Sequence, residues 1–204
     1  MLFFLASIVF LIMAIVTAVR PSDGNRFDIY FFFLIGLSVL AASFPIRHML
    51  FEMKLAKAAG ALINNPEVVV DCNSYFDSMF HLGAAGFVYR GSSKINLEVR
   101  TCDAMEDYLA DPERAKFQEL YALHTLTHEA MHVAGTIDEV RTDCQAFQRN
   151  HRMAELLGVA PKVARVNAQI RHRLRLERHP YYSAECEPGG ALDENLPDAV
   201  WLAP

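Results

Sequence analysis

Hydrophobic and polar positions divide the chain sharply. Residues 1–19 form an almost unbroken apolar run, and Ile29 to Phe44 form a second. The polar stretch RPSDGNRFD, with its Pro and Gly, separates them. Each run is about as long as a bilayer-crossing helix, so the pattern predicts a transmembrane helical hairpin over residues 1–46. The other reading is a cleaved signal peptide followed by one anchor. Val16-Thr17-Ala18 would serve as a cleavage site, but no Lys or Arg precedes the apolar run. From His48 to Asn64 the stretch MLFEMKLAKAAGALI is amphipathic at helical period and is stopped by Asn64-Asn65-Pro66, which predicts a connector helix over 47–65.

The pattern then changes period. The β-branched run Val68 to Val70, and the segments Gly86 to Arg90 and Ile95 to Val99 across the turn Gly91-Ser92-Ser93, predict a small sheet. A long helical segment follows. Asp111 is placed as its N-cap, Pro112 at its first position and Gly135 just past its end. Leu120, Leu123, Leu126, Thr127, Ala130 and Met131 give it an apolar side. A second helix is expected from about Asp138 to Leu157, stopped by Gly158, and a third from Pro161 to Arg178. The tail, 181–204, carries Pro, Gly and acidic residues and predicts irregular chain wrapped on the domain.

Composition adjusts this picture in two places. The chain is 52% hydrophobic and 21% charged, apolar for a wholly soluble protein, and the excess sits at the front. The third helix is basic (Lys162, Arg165, Arg171, Arg173, Arg175, Arg178), but the net charge is −5 and no aromatic platform is interleaved. A solvated or lipid-headgroup surface therefore fits better than a nucleic-acid one.

Four cysteines, Cys72, Cys102, Cys144 and Cys186, all follow the apolar runs, without a C-x-x-C spacing. Spread cysteines on a membrane-attached domain suggest two disulfides and an oxidising, extracytoplasmic compartment, with buried free thiols as the alternative. Of the three connectivities we expect Cys72 with Cys102 and Cys144 with Cys186. The positive charges tilt the other way: Arg20 and Arg26 lie in the loop, and Arg47, Lys54 and Lys57 after the second run, slightly favouring a cytoplasmic C-terminus.

The chemistry lies in HEAMH, His128 to His132, an H-E-x-x-H motif. Histidines four apart stack on one helix face and can reach one cation, with Glu129 beside them to take a proton from water that the metal polarises. Composition gives on the order of 0.02 chance matches in such a chain. A catalytic zinc needs a third protein ligand and an open position, and Asp138 and Glu139 compete for that role. Tyr181, Tyr182, His151 and His172 have the chemistry to stabilise an oxyanion. His124, one turn before His128 on the same stripe, either backs a ligating histidine or is a core or rim histidine.

The run GTIDEVRTD, Gly135 to Asp143, resembles the Gly-x-x-Asn-Glu-x-x-Ser-Asp signature of the thermolysin-like gluzincin metallopeptidases. The resemblance implies Glu139 as third zinc ligand and Asp143 as the carboxylate that orients a ligating histidine, which agrees with carboxylates at i and i+4 sharing a face. It also implies that a strand edge, here Ile95 to Val99 by position, holds an extended substrate. It covers residues 128–143 only, with a much shorter connection between the two helices. Read as H-E-x-x-H-x-x-G-x-x-D, the same residues resemble the metzincin-type motif with Asp138 as ligand. The whole segment is also similar to small membrane-anchored bacterial proteins with HExxH and a cysteine-containing tail.

The expectation is thus a mostly helical α+β chain. A membrane anchor over 1–46 and a connector over 47–65 precede a zincin-like domain over 66–204, with short sheet, active-site helix, glutamate helix, further helix and disulfide-pinned tail. The implied function is zinc-dependent hydrolysis of peptides or proteins beside a lipid bilayer, with no nucleic-acid partner. The competing class is a membrane-anchored interaction protein that binds metal without catalysis.

Overall fold

The computed structural model describes residues 2–19, 29–73, 84–174, 181 and 183–200. It is mostly helical with one three-stranded sheet. Two compact units, residues 1–51 and 52–204, divide the chain.

The first unit holds α1 (Leu2–Val19) and most of α2 (Ile29–Ile63). Ser38 Oγ donates to the Ser7 carbonyl at 2.9 Å, and Phe3 stacks on Phe44 with ring centroids 5.0 Å apart. Ala14, Leu34 and Ala41 are buried, while Phe4, Val9, Ile12, Phe32 and Val39 remain exposed. Large apolar side chains facing outward suit hydrocarbon rather than water. Among the described residues α2 alone is long and apolar enough to cross a membrane, a property that anchors share with signal segments. The helix continues through Pro45 into the connector without a break.

The second unit begins within α2, where Leu55, Ala58 and Ala59 are buried. The helix ends at Ile63, with Asn64 at φ 54° and Asn65 N donating to the Gly60 carbonyl at 2.9 Å. Strands β1 (Val69–Cys72), β2 (Gly86–Val88) and β3 (Lys94–Leu97) form a sheet in the order β1-β3-β2. Strand β3 runs parallel to β1 and antiparallel to β2, with Val70 opposite Ile95 and Gly86 opposite Leu97. Both edges of β3 are therefore occupied. The segment expected to offer a free edge is the centre of the sheet, and among the described residues β2 is the edge strand on that side.

Two further boundaries differ from the sequence reading. Val99 opens helix α3 (Val99–Ala110) rather than closing a strand, and its inward residues Cys102, Met105 and Tyr108 recur at i, i+3, i+6. This helix went unpredicted because its apolar face is short and interrupted by Arg100, Asp103, Glu106 and Asp107. Asp111 and Pro112 belong to the end of α3 and to a 3-10 turn, Pro112–Arg114. The HExxH helix α4 starts later, over Phe117–Val133. There Glu119 accepts from Lys116 N at 3.0 Å, so a carboxylate at the third position satisfies the helix start that Asp111 was expected to cap.

Helix α4 is buried on nearly every side from Glu119 to Met131. It contacts α3, β2, β3, α5 (Glu139–Leu156) and α6 (Pro161–Leu174). The expected extension of α6 to Arg178 lies outside the described residues.

Disulfides join Cys72 to Cys102 and Cys144 to Cys186, with Cα atoms 6.0 and 5.5 Å apart. The first ties β1 to α3 and the second ties the tail to α5. Further along, Gln148 Nε2 donates to the Leu192 carbonyl, Glu194 pairs with Arg149, and Asp198 pairs with Arg152 and with the buried His151. Residues at 144, 148, 149 and 152 share one face of α5, so the tail is strapped along it.

The Arg152 guanidinium holds the Asp198 carboxyl well below the usual carboxylate range. A carboxyl depressed in the folded state contributes stability above its unfolded value, about 3.9, and loses it as pH falls toward its folded value. The Asp198 side chain is 35% exposed, so screening limits the term to about 1 kcal/mol. Asp198→Asn should therefore lower unfolding free energy by about that much at pH 7, and the gap from wild type should narrow as pH falls below about 4. Denaturant unfolding at both pH values checks this.

Candidate metal centre

Helix α4 carries His128, Glu129 and His132 into a cleft of about 700 Å³ between β2 and the turn after α4. The turn is tight because Gly135 takes φ 102°, which an L side chain resists. Gly135 N donates to the His132 carbonyl and Thr136 N to the Met131 carbonyl. Asp138 then caps α5, its Oδ1 accepting from Arg141 N at 2.8 Å. Only five residues separate the two helices, so Glu139, first in α5, faces back to the histidines.

Three potential donor atoms converge. Glu139 Oε2 lies 3.1 Å from His128 Nε2 and 3.4 Å from His132 Nε2. Atoms bound to one tetrahedral zinc at about 2.0–2.1 Å sit about 3.3–3.4 Å from each other. The spacing thus fits a shared cation. His132 Nδ1 donates to the Thr136 carbonyl at 2.8 Å, which leaves its Nε2 as a lone-pair donor toward the cleft. Two imidazoles and one carboxylate form a donor set suited to zinc and leave coordination positions open to the cleft. Asp138, the competing ligand, stands outside this group and spends its carboxylate on the helix cap.

Behind the histidines lies a buried polar layer. His124 Nε2 donates to Asp143 Oδ1 at 2.7 Å, and Asn150 Nδ2 donates to His124 Nδ1 at 3.1 Å. Asp143 Oδ1 is also 3.8 Å from His128 Nδ1. Asp143 therefore sits where a carboxylate can orient a ligating histidine, though it is closer to His124. Burial pushes the His124 imidazole down to about 4, so it is neutral at physiological pH. Burial also works against a charged His128, but the carboxylates of Asp143, Glu129 and Glu139 outweigh it and raise that imidazole above its ordinary value.

Glu129 is buried beside His128, and burial pushes its carboxyl up to about 7, with His128 opposing and Glu139 adding. Its Oε2 is buried without a hydrogen-bond partner. A carboxyl near neutrality with an unused oxygen is suited to accept and release a proton.

Of the four oxyanion-stabilising candidates, Tyr181 reaches the cleft, its ring centroid 6.3 Å from that of His128. His151 bonds Asp198 and His172 packs edge-on to Phe147, both away from the cleft, and Tyr182 lies outside the described residues. Sequence reasoning missed the Thr136 carbonyl, since any residue supplies one, and Asn150, whose pairing with His124 depends on how α4 and α5 pack. It also missed Gly86. A Cβ there would lie 3.0 Å from Leu97 Cδ2 and Thr125 Cγ2 and 3.1 Å from Glu129 Cγ, so a glycine lets β2 press directly onto the HExxH helix.

No protein-family model matches the chain, and neither curated proteins nor solved structures yield a significant match.

Gly86→Val should destabilise the domain by about 1–3 kcal/mol through overpacking against Thr125 and Glu129. Thermal and denaturant unfolding measure it, and a wild-type value would mean β2 moves away freely.

Proposed function

We propose that the chain is a membrane-anchored zinc metallopeptidase whose zincin-like domain is a compact relative of the thermolysin-like gluzincins in architecture. One observation carries the reading: Glu139 Oε2 stands 3.1 and 3.4 Å from two histidine Nε2 atoms of an HExxH helix, a hydrogen bond and a near contact that lie close to the about 3.3–3.4 Å edge of a zinc tetrahedron. His128, His132 and Glu139 would hold the metal. When bound, zinc supplies Lewis acidity toward a peptide carbonyl and lowers the pKa of water.

The chain's own groups do the rest. Glu129, which lines the cleft, takes a proton from the attacking water and passes it to the leaving amine. The Tyr181 hydroxyl donates to the developing oxyanion. Strand β2 is a sheet edge lining the cleft, so an extended peptide can add to it through backbone hydrogen bonds. The two disulfides support an extracytoplasmic domain, and the apolar α1 and α2 support attachment to a lipid bilayer.

Purified full-length chain tests this with a peptide-library cleavage assay and zinc analysis. Glu129→Gln should keep its zinc and lose about 10²–10⁴ in cleavage rate. Glu139→Ala should lose the zinc, and Asp138→Asn should retain it. Wild-type activity in Glu129→Gln would rule the mechanism out, and zinc-loaded protein that cleaves nothing would favour a metal-binding interaction protein. Tyr181→Phe should lower kcat by about 10²–10³ with little change in KM, as expected for a donor acting on the transition state.

A further inference from the structure

Resting on the zinc reading above, we infer that His124 is a positioning residue: with Asn150 it fixes Asp143, and through Asp143 it sets the orientation of the ligand His128.

The proton inventory locks the chain of contacts in one direction. Asp143 carries a carboxylate, which can only accept, so the 2.7 Å contact requires a proton on His124 Nε2. A neutral imidazole has one proton, so Nδ1 must accept, and Asn150 must present its amide Nδ2 there, 3.1 Å away. The opposite tautomer would set a lone pair against the carboxylate. The layer is enclosed: His124, Asp143 and Asn150 are 2%, 4% and 1% exposed. The His124 ring also packs against Phe147, with centroids 4.2 Å apart and planes inclined by 31°. Asn150 Oδ1 has no partner, but the two directed contacts through His124 hold the buried chain in one geometry.

Asp143 Oδ1 is the atom shared between this layer and the ligand, 3.8 Å from His128 Nδ1. A histidine whose far nitrogen faces an oriented carboxylate keeps the tautomer that leaves Nε2 free for metal.

His124 Nε2, His128 and Asp143 also form a group close enough to hold a cation themselves. The 2.7 Å separation argues against that role, because two ligands on one tetrahedral zinc stand about 3.3 Å apart, whereas 2.7 Å is a hydrogen bond.

The test compares His124→Gln with His124→Asn in full-length chain purified in detergent, reading zinc affinity by chelator competition, zinc stoichiometry and thermal unfolding. Gln places an amide nitrogen near the position of Nε2, facing Asp143, and Asn places one near Nδ1. A merely structural polar site would treat the two alike. We expect one zinc per wild-type chain, affinity within about threefold of wild type for Gln, and a loss of about 10–100-fold for Asn with a folded protein. Equal affinity in both variants and wild type, or equal losses in both, would overturn the inference while leaving the zinc site intact. Two zincs per wild-type chain, one lost in His124→Asn, would make His124 a ligand and overturn it as well. A folded wild type that binds no zinc would overturn this inference together with the reading beneath it.

Discussion

The second unit is organised around three polar atoms from two helices, two imidazole nitrogens and one carboxylate oxygen, brought together through the turn at Gly135. Glu139 Oε2 stands 3.1 and 3.4 Å from the two imidazole nitrogens while its side chain stays half exposed at the cleft, so a shared proton or a cation can balance the cluster without full burial. Five residues leave little freedom for the reversal, and φ 102° at Gly135 admits glycine with little strain. The same turn delivers the Thr136 carbonyl to His132 and the Asp138 cap to α5, so one short segment starts the second helix and fixes the His132 tautomer. Packing serves this geometry: α4 is enclosed by three helices and two strands, and the tail is strapped and disulfide-bonded to the helix that carries Glu139.

Much of the candidate site was legible in the sequence because it is local. His128, Glu129 and His132 share a helix turn, and Glu139 and Asp143 share the next helix, so spacing alone brought them into two sets. What joined the sets was Gly135, whose meaning as a stop was also local. Between Asp138 and Glu139 the sequence favoured Glu139, through the matching Asp143 and the helical continuation AFQRNHRMAELLG, and kept Asp138 as the alternative because either could cap a helix and either could ligate. Helix geometry separates them, because the cap side chain turns back onto its own backbone while the first-turn side chain points across. Tyr181 could be narrowed only by the fold, being 49 residues beyond His132 and brought near by the tail.

The fold was read well where one periodicity dominated and poorly where short elements compete. The apolar helices and the glycine-stopped α5 were visible from pattern. Strand β3 was found but placed at an edge, because pairing order is a tertiary property that a four-residue run does not encode. Helix α3 was hidden by its acidic outer face, and Asp111-Pro112 mimicked a helix start while ending the previous one. Local capping signals state that a boundary exists, and they do not say which helix owns it.

The most direct test of the central claim is zinc-edge X-ray absorption on the full-length chain purified in detergent and loaded with one equivalent of zinc. The account predicts nitrogen and oxygen scatterers at about 2.0–2.1 Å, the multiple-scattering signature of two imidazoles and no sulfur. A sulfur scatterer, a count of imidazoles other than two, or a folded protein that leaves zinc in solution would contradict it.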